Sequence, residues 1–175
     1  MRETNTVLAE FEITDGSGFL SIVNVDKYKS FVDRDWELDQ LMDHFISEMN
    51  NDSIIIWATG AQGRWNVVFL NNRSEMEAFR EFYKEISVTN SRLYLTNYED
   101  LTMAAQFDDE VIPSKHNSNL FLTLQNGNYN LTIRQIFDPD DYDQFESIDI
   151  HFEIIVASSN NRSIDRVDEI YWWTN

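Results

Sequence analysis

The sequence predicts an α+β fold in a single domain over residues 1–175: a twisted antiparallel sheet or two-layer β-sandwich with two amphipathic helices packed on it. Three observations carry this expectation. Short segments of alternating or continuous apolar character recur along the chain. Turn signals of hairpin length separate most of them. Strands and helices do not alternate regularly, which argues against a doubly wound parallel sheet.

Each element has its own local reason. Residues 6–15, TVLAEFEITD, place Val7, Ala9, Phe11 and Ile13 on one face and Glu10, Glu12 and Thr14 on the other. That is the pattern of a half-buried strand. Asp15-Gly16-Ser17-Gly18 is a turn signal, so FLSIVNV (19–25) is expected as the hairpin partner. Residues 33–50 read as a helix, because Leu38, Leu41, Met42, Phe45, Ile46 and Met49 recur at helical spacing. Asp33 or Asp35 is its expected cap, and Glu37 and Asp39 suit its positive end.

SIIIWATG (53–60) and RWNVVFL (64–70) read as a hairpin around Gly60 and Gly63. Ser74-Glu75-Met76-Glu77 has the form of a capping box, and predicts a second helix carrying Met76, Phe79, Phe82, Tyr83 and Ile86 on one face. SRLYLTNY (91–98) follows as a strand, and residues 99–118 as a long polar loop. NLFLTLQ (119–125) and YNLTIRQIF (129–137) flank Asn126-Gly127, a strong hairpin signal. Residues 149–157 and 167–173 read as the last two strands. Adjacent Trp172 and Trp173 would then face opposite sides of their strand.

Charge narrows the function. The chain carries 31 acids against 13 bases, a net charge of -18. Solubility is met by a magnitude of about 2–8 in a small domain. The excess makes nucleic acid and anionic membrane poor partners. It leaves a cationic protein, a cationic ligand, metal ions or a saline habitat. There is no cysteine, which removes disulfides and thiol chemistry and suits a reducing cytoplasm, the expected compartment. No apolar run of signal-peptide type opens the chain.

No motif points to catalysis. His44, His116 and His151 show no metal-ligand spacing with one another. Gly60-Ala61-Gln62-Gly63 lacks the Lys of a phosphate loop and lies between strands. The sequence is therefore read as that of a binding protein with no cofactor and no metal, not an enzyme.

The most acidic stretch, FDPDDYDQFESID (137–149), fails the geometry of a calcium loop. Counting from Asp138, Tyr142 occupies the fifth position and Asp143 the sixth, where a carboxylate or amide oxygen and a glycine are needed. Two readings remain: a solvated loop, or a contact surface. Acids interleaved with aromatics favour the contact surface, because aromatic anchors beside charges build steered interfaces. The expected partner-binding residues are Asp138, Asp140, Asp141, Tyr142, Asp143, Phe145 and Glu146. Asp108, Asp109 and Glu110 come second, and Asp39 and Asp43 third.

The segment LFLTLQNGNYNLTIRQIFDPDD (120–141), with Leu122, Leu124, Gly127, Tyr129, Leu131 and Ile133, resembles small bacterial nuclease-inhibitor and toxin-immunity proteins, including the competence nuclease inhibitor family and those paired with contact-dependent inhibition toxins. The resemblance covers about an eighth of the chain and transfers no inhibitory residue. It implies a stoichiometric inhibitor of a basic nuclease toxin, an RNase or DNase, and the charge pattern adds the expectation that the acidic loops occlude its active site. The rival expectation is a small-ligand-binding or enzymatic domain with a cleft of carboxylates and aromatics.

Overall fold

The alternating segments do form strands, but the turns between them do not close hairpins. The computed structural model describes residues 5–160 and 166–174. Its nine strands are β1 (Val7–Asp15), β2 (Phe19–Val23), β3 (Ile54–Ala58), β4 (Gly63–Leu70), β5 (Arg80–Val88), β6 (Arg92–Asn97), β7 (Phe121–Thr123), β8 (Gly127–Gln135) and β9 (Phe152–Ser158). Three helices accompany them: α1 (Leu38–Asn50), α2 (Tyr98–Gln106) and α3 (Tyr142–Ser147). The strands make a five-stranded sheet in the order β1-β4-β9-β8-β5 and a four-stranded sheet in the order β3-β2-β6-β7. Every pairing is antiparallel except that of β4 with β9. The expected α+β sandwich is therefore present.

Its connectivity differs from the expected hairpins. The turns β1–β2, β3–β4 and β7–β8, each expected to join neighbours, carry the chain from one sheet to the other. The β5–β6 turn does the same. A tight turn reverses direction equally well within a sheet or between two packed sheets, and only the apolar faces decide which. Pairing inside a sheet runs through the longer connections: α1 lies between β2 and β3, and α3 between β8 and β9.

Asp15 shows how such a turn is held. The residue is buried, and its Oδ1 accepts from the backbone N–H of Ser17, Gly18 and Phe19. Its Oδ2 accepts from Thr59 Oγ1 and Trp65 Nε1. Burial pushes this carboxyl above its ordinary value, and the bonds from Thr59, Trp65, Gly18 and Ser17 oppose that shift. Gly18 has φ +84°, a backbone state that favours glycine.

The expected helix after Ser74 is not there. Residues 80–88 form β5 instead, pairing along their whole length with β8. Phe82, Lys84, Ile86 and Val88 alternate inward, and nine paired residues outweigh one local capping signal. Ser74 still makes hydrogen bonds, accepting from the Met76 N–H and donating to Glu153 on β9. Arg134 on β8 pairs with Glu153 and Glu81 and donates to the Met76 carbonyl. This network straps the β4–β5 connection across the outer face of the larger sheet.

Two expected loops contain helices. Residues 98–106 form α2, capped by Asn97, whose side chain accepts from the Asp100 N–H. The acidic stretch forms α3, capped by Asp141. The predicted last strand, 167–173, makes one isolated bridge between Trp57 and Tyr171. Trp172 has φ +65°, which is incompatible with a continuing strand. α1 begins later than expected, after Glu37, because Asp33 is engaged by the Asp35 N–H in a turn of its own.

Three apolar clusters result, the smallest being Val68, Leu70 and Ile155 on the larger sheet. One fills the space between the sheets and includes Trp57, Trp65, Phe69, Phe137 and Phe152. Another lies under α1 and α2 on the outer face of the smaller sheet, with Leu41, Phe45, Met49 and Leu101. Trp172 packs against Phe82 and Trp173 against Phe19, so both indoles are half-buried.

Candidate functional site

The acidic stretch is a lid whose aromatics face inward. Phe137 is fully buried and stacks on Trp65 with ring centroids 4.6 Å apart. Phe145 meets Trp65 and Phe137 edge-on, each at 5.4 Å. Phe145 is 7% exposed, which corrects its expected role as an exposed anchor: a short helix laid over an open sandwich end gains most by burying its one large apolar side chain.

Two of the stretch's acids are also committed. Asp138 Oδ1 accepts from the Asp140 N–H, and Asp141 Oδ1 from the Gln144 N–H. Asp138 also faces the Arg80 guanidinium, whose own pKa falls because it is partly desolvated, a shift Asp138 opposes. Asp140, Asp143, Glu146 and Tyr142 remain on the outside, Tyr142 being 66% exposed.

His151 locks the lid down. Its Nδ1 accepts from the Asn66 N–H at 2.9 Å, so that nitrogen carries no proton. Its Nε2 donates to the Phe145 carbonyl at 2.7 Å. The ring is therefore neutral, and burial, the largest cause, holds its pKa below the ordinary 6.5. His44 is likewise structural, donating from Nε2 to the Lys29 carbonyl. Among the described residues, no three metal-ligating side chains converge.

The other two predicted groups lie in the helical layer. Asp108, Asp109 and Glu110 are exposed just beyond α2. The carbonyl of Ala105, near the end of α2, accepts from Val32 and Asp33, which places this segment beside the approach to α1. Asp39 and Asp43 are exposed on α1, one turn apart. They border a groove of about 670 Å3 between α1 and the segment 167–174.

Sequence reasoning missed the rest of this groove. Asp168 and Glu169 face Asp39 and Asp43 across it, and Met42, Ile46, Ile170, Trp173 and Thr174 complete its lining. The only available signal was the run Asp168-Glu169-Ile170 ahead of two tryptophans, read as a strand. The C-terminal wall is held in place. Asn50 on α1 exchanges two 2.8 Å hydrogen bonds with the backbone of Val167. The Ala58 N–H donates to the Tyr171 carbonyl, and the Tyr171 ring stacks on Phe82 at 3.8 Å.

No protein-family model matches this chain, and no curated protein matches it either. Solved structures do match at the level of fold. One is described as "Crocagin biosynthetic gene J", with a TM-score of 0.56 and 12% identity, over 90% of this chain and 100% of that one. Another is ComJ from Bacillus subtilis, described as an inhibitor of the DNA-degrading activity of NucA, with a TM-score of 0.54, 15% identity and the same coverage. The chain thus shares its fold, over 90% of its own length and all of the other's, with a nuclease inhibitor.

Proposed function

We propose that this protein is a stoichiometric inhibitor of a basic nuclease, of the kind that neutralises a cognate toxin, and that it acts by binding rather than by catalysis. The observation that carries the reading is the fold shared with ComJ, over 90% of this chain. The net charge of -18 supports it, because a nuclease site built to hold phosphate attracts carboxylates. In this reading Asp140, Asp143 and Glu146, with Tyr142 on the outside of α3, and Asp108, Asp109 and Glu110 beyond α2, steer the partner and cover its cationic cleft. None of these positions requires a cofactor.

The test is inhibition. The purified protein is mixed with a panel of basic DNases and RNases, including the C-terminal domain of any toxin encoded beside its gene. One-to-one suppression of at least one nuclease is expected, weakening as salt rises through slower association. If no nuclease is inhibited and no basic protein is retained on the immobilised chain, the reading is wrong.

A further inference from the structure

We propose that the groove between α1 and the C-terminal segment is the docking site for a basic, partly apolar segment of the partner protein: Lys or Arg on either side of an apolar anchor. This rests on the inhibitor reading and names the contact that would hold the complex together.

The floor of the groove is apolar. Met42 and Ile170 are buried, and Ile46 and Trp173 are half-buried, yet all four line the open groove. An apolar side chain laid there leaves water at roughly 25 cal/mol per Å2. The volume, about 670 Å3, exceeds any one side chain and suits a short stretch of chain. The rim then selects the occupant. Asp39, Asp43, Asp168 and Glu169 are exposed, and no Lys, Arg or His lines the groove among the described residues. The ion pairs of the described residues engage other carboxylates: Glu12, Glu81, Asp52 and Glu153. A guanidinium or ammonium in the groove meets carboxylates from both walls, with the Trp173 indole beside them. A polyanion is repelled by the same four groups.

The walls need no rearrangement to accept a guest. The Asn50–Val167 bonds and the Tyr171 contacts with Ala58 and Phe82 already hold the C-terminal side against the core. A preformed groove avoids the ordering cost that a mobile tail would carry. The outer acids of α3 lie over a floor already filled by Phe145, so they can steer a cation but hold no apolar anchor.

The experiment uses the full chain, 15N-labelled, titrated with a synthetic hexapeptide carrying an Arg-Lys pair on each side of Leu-Phe. Hexalysine and spermine are the charge-only probes. Chemical-shift changes are expected at residues 39–46 and 167–173, with the hexapeptide binding more tightly than either control. The variant Asp39→Asn/Asp43→Asn/Asp168→Asn/Glu169→Gln should weaken it at least about tenfold, while Glu10→Gln/Asp26→Asn/Glu77→Gln, which removes exposed acids elsewhere, should not. Shifts confined to α3, equal binding by the groove variant, or equal binding of spermine would each overturn the proposal. Equal spermine binding would mark a small-cation site instead. A nuclease inhibited equally by the groove variant and the wild type would remove the groove and leave the inhibitor reading standing. Peptide docking with no nuclease inhibited would do the reverse.

Discussion

The α3 lid and the α1 groove are both acidic, and they differ in where their apolar side chains point. In the lid, Phe137 and Phe145 turn inward onto Trp65, and the carboxylates outside have only Tyr142 beside them. In the groove, Ile46 and Trp173 stay half-exposed between two acidic walls, over the buried Met42 and Ile170. Acid density does not distinguish a solvated cap from a docking site. The accessibility of apolar surface beside the acids does.

This contrast can be broken most forcefully at the lid's floor. Phe137→Ala should destabilise the protein by about 3–5 kcal/mol in chemical denaturation, as truncation of a fully buried aromatic does. A loss below about 1 kcal/mol would mean that α3 is not seated on the core. A smaller effect is expected from pH. His151 titrates below 6.5 when folded, so the unfolded chain takes up the proton first. Stability should therefore fall as pH drops through 6.5 and on toward the folded value. His151→Gln, compared with the wild type by urea melts at pH 7.5 and pH 5, should show a flatter slope. An unchanged slope would exclude His151 as the group responsible.

The smallest effect belongs to the groove. Asp39→Asn and Asp43→Asn relieve a like-charge pair one helical turn apart but give up the favourable Asp39 charge in the first turn of α1, so together they should change stability by no more than about 0.5 kcal/mol in either direction. A large loss would assign those carboxylates a structural role and collapse the distinction between the two regions.

Much of the fold was legible locally. The inward face of β1, the apolar run of β3 and the stripe of α1 each follow from side-chain spacing within one segment. The pairing was not legible. Asn126-Gly127 does make a turn, but Asn126 accepts from the Ser91 N–H of another sheet-switching turn, and the strands on either side belong to different sheets. Ser74 illustrates the opposite limit. Its capping signal is real in isolation, and it was outweighed by β8, whose partner lies some fifty residues away in sequence.

The candidate site divides in the same way. Its acids could be named from composition and position, and Asp39 and Asp43 do line the groove. Asp168, Glu169 and Trp173 could not be joined to them, because more than a hundred residues separate the two walls. Phe145 could not be assigned to the interior, because an aromatic among acids reads equally as an anchor or as a plug until its floor is known.

Composition and short-range spacing were enough for the charge, the absence of cysteine, eight of the nine strands and the amphipathic α1. These are sums or short-range periodicities, complete within a few residues. The tertiary structure alone decided which strands pair, which aromatics are consumed by the core and which acids share a groove. Those outcomes depend on which distant apolar faces meet, and burial against a distant partner outweighs any local preference of the chain.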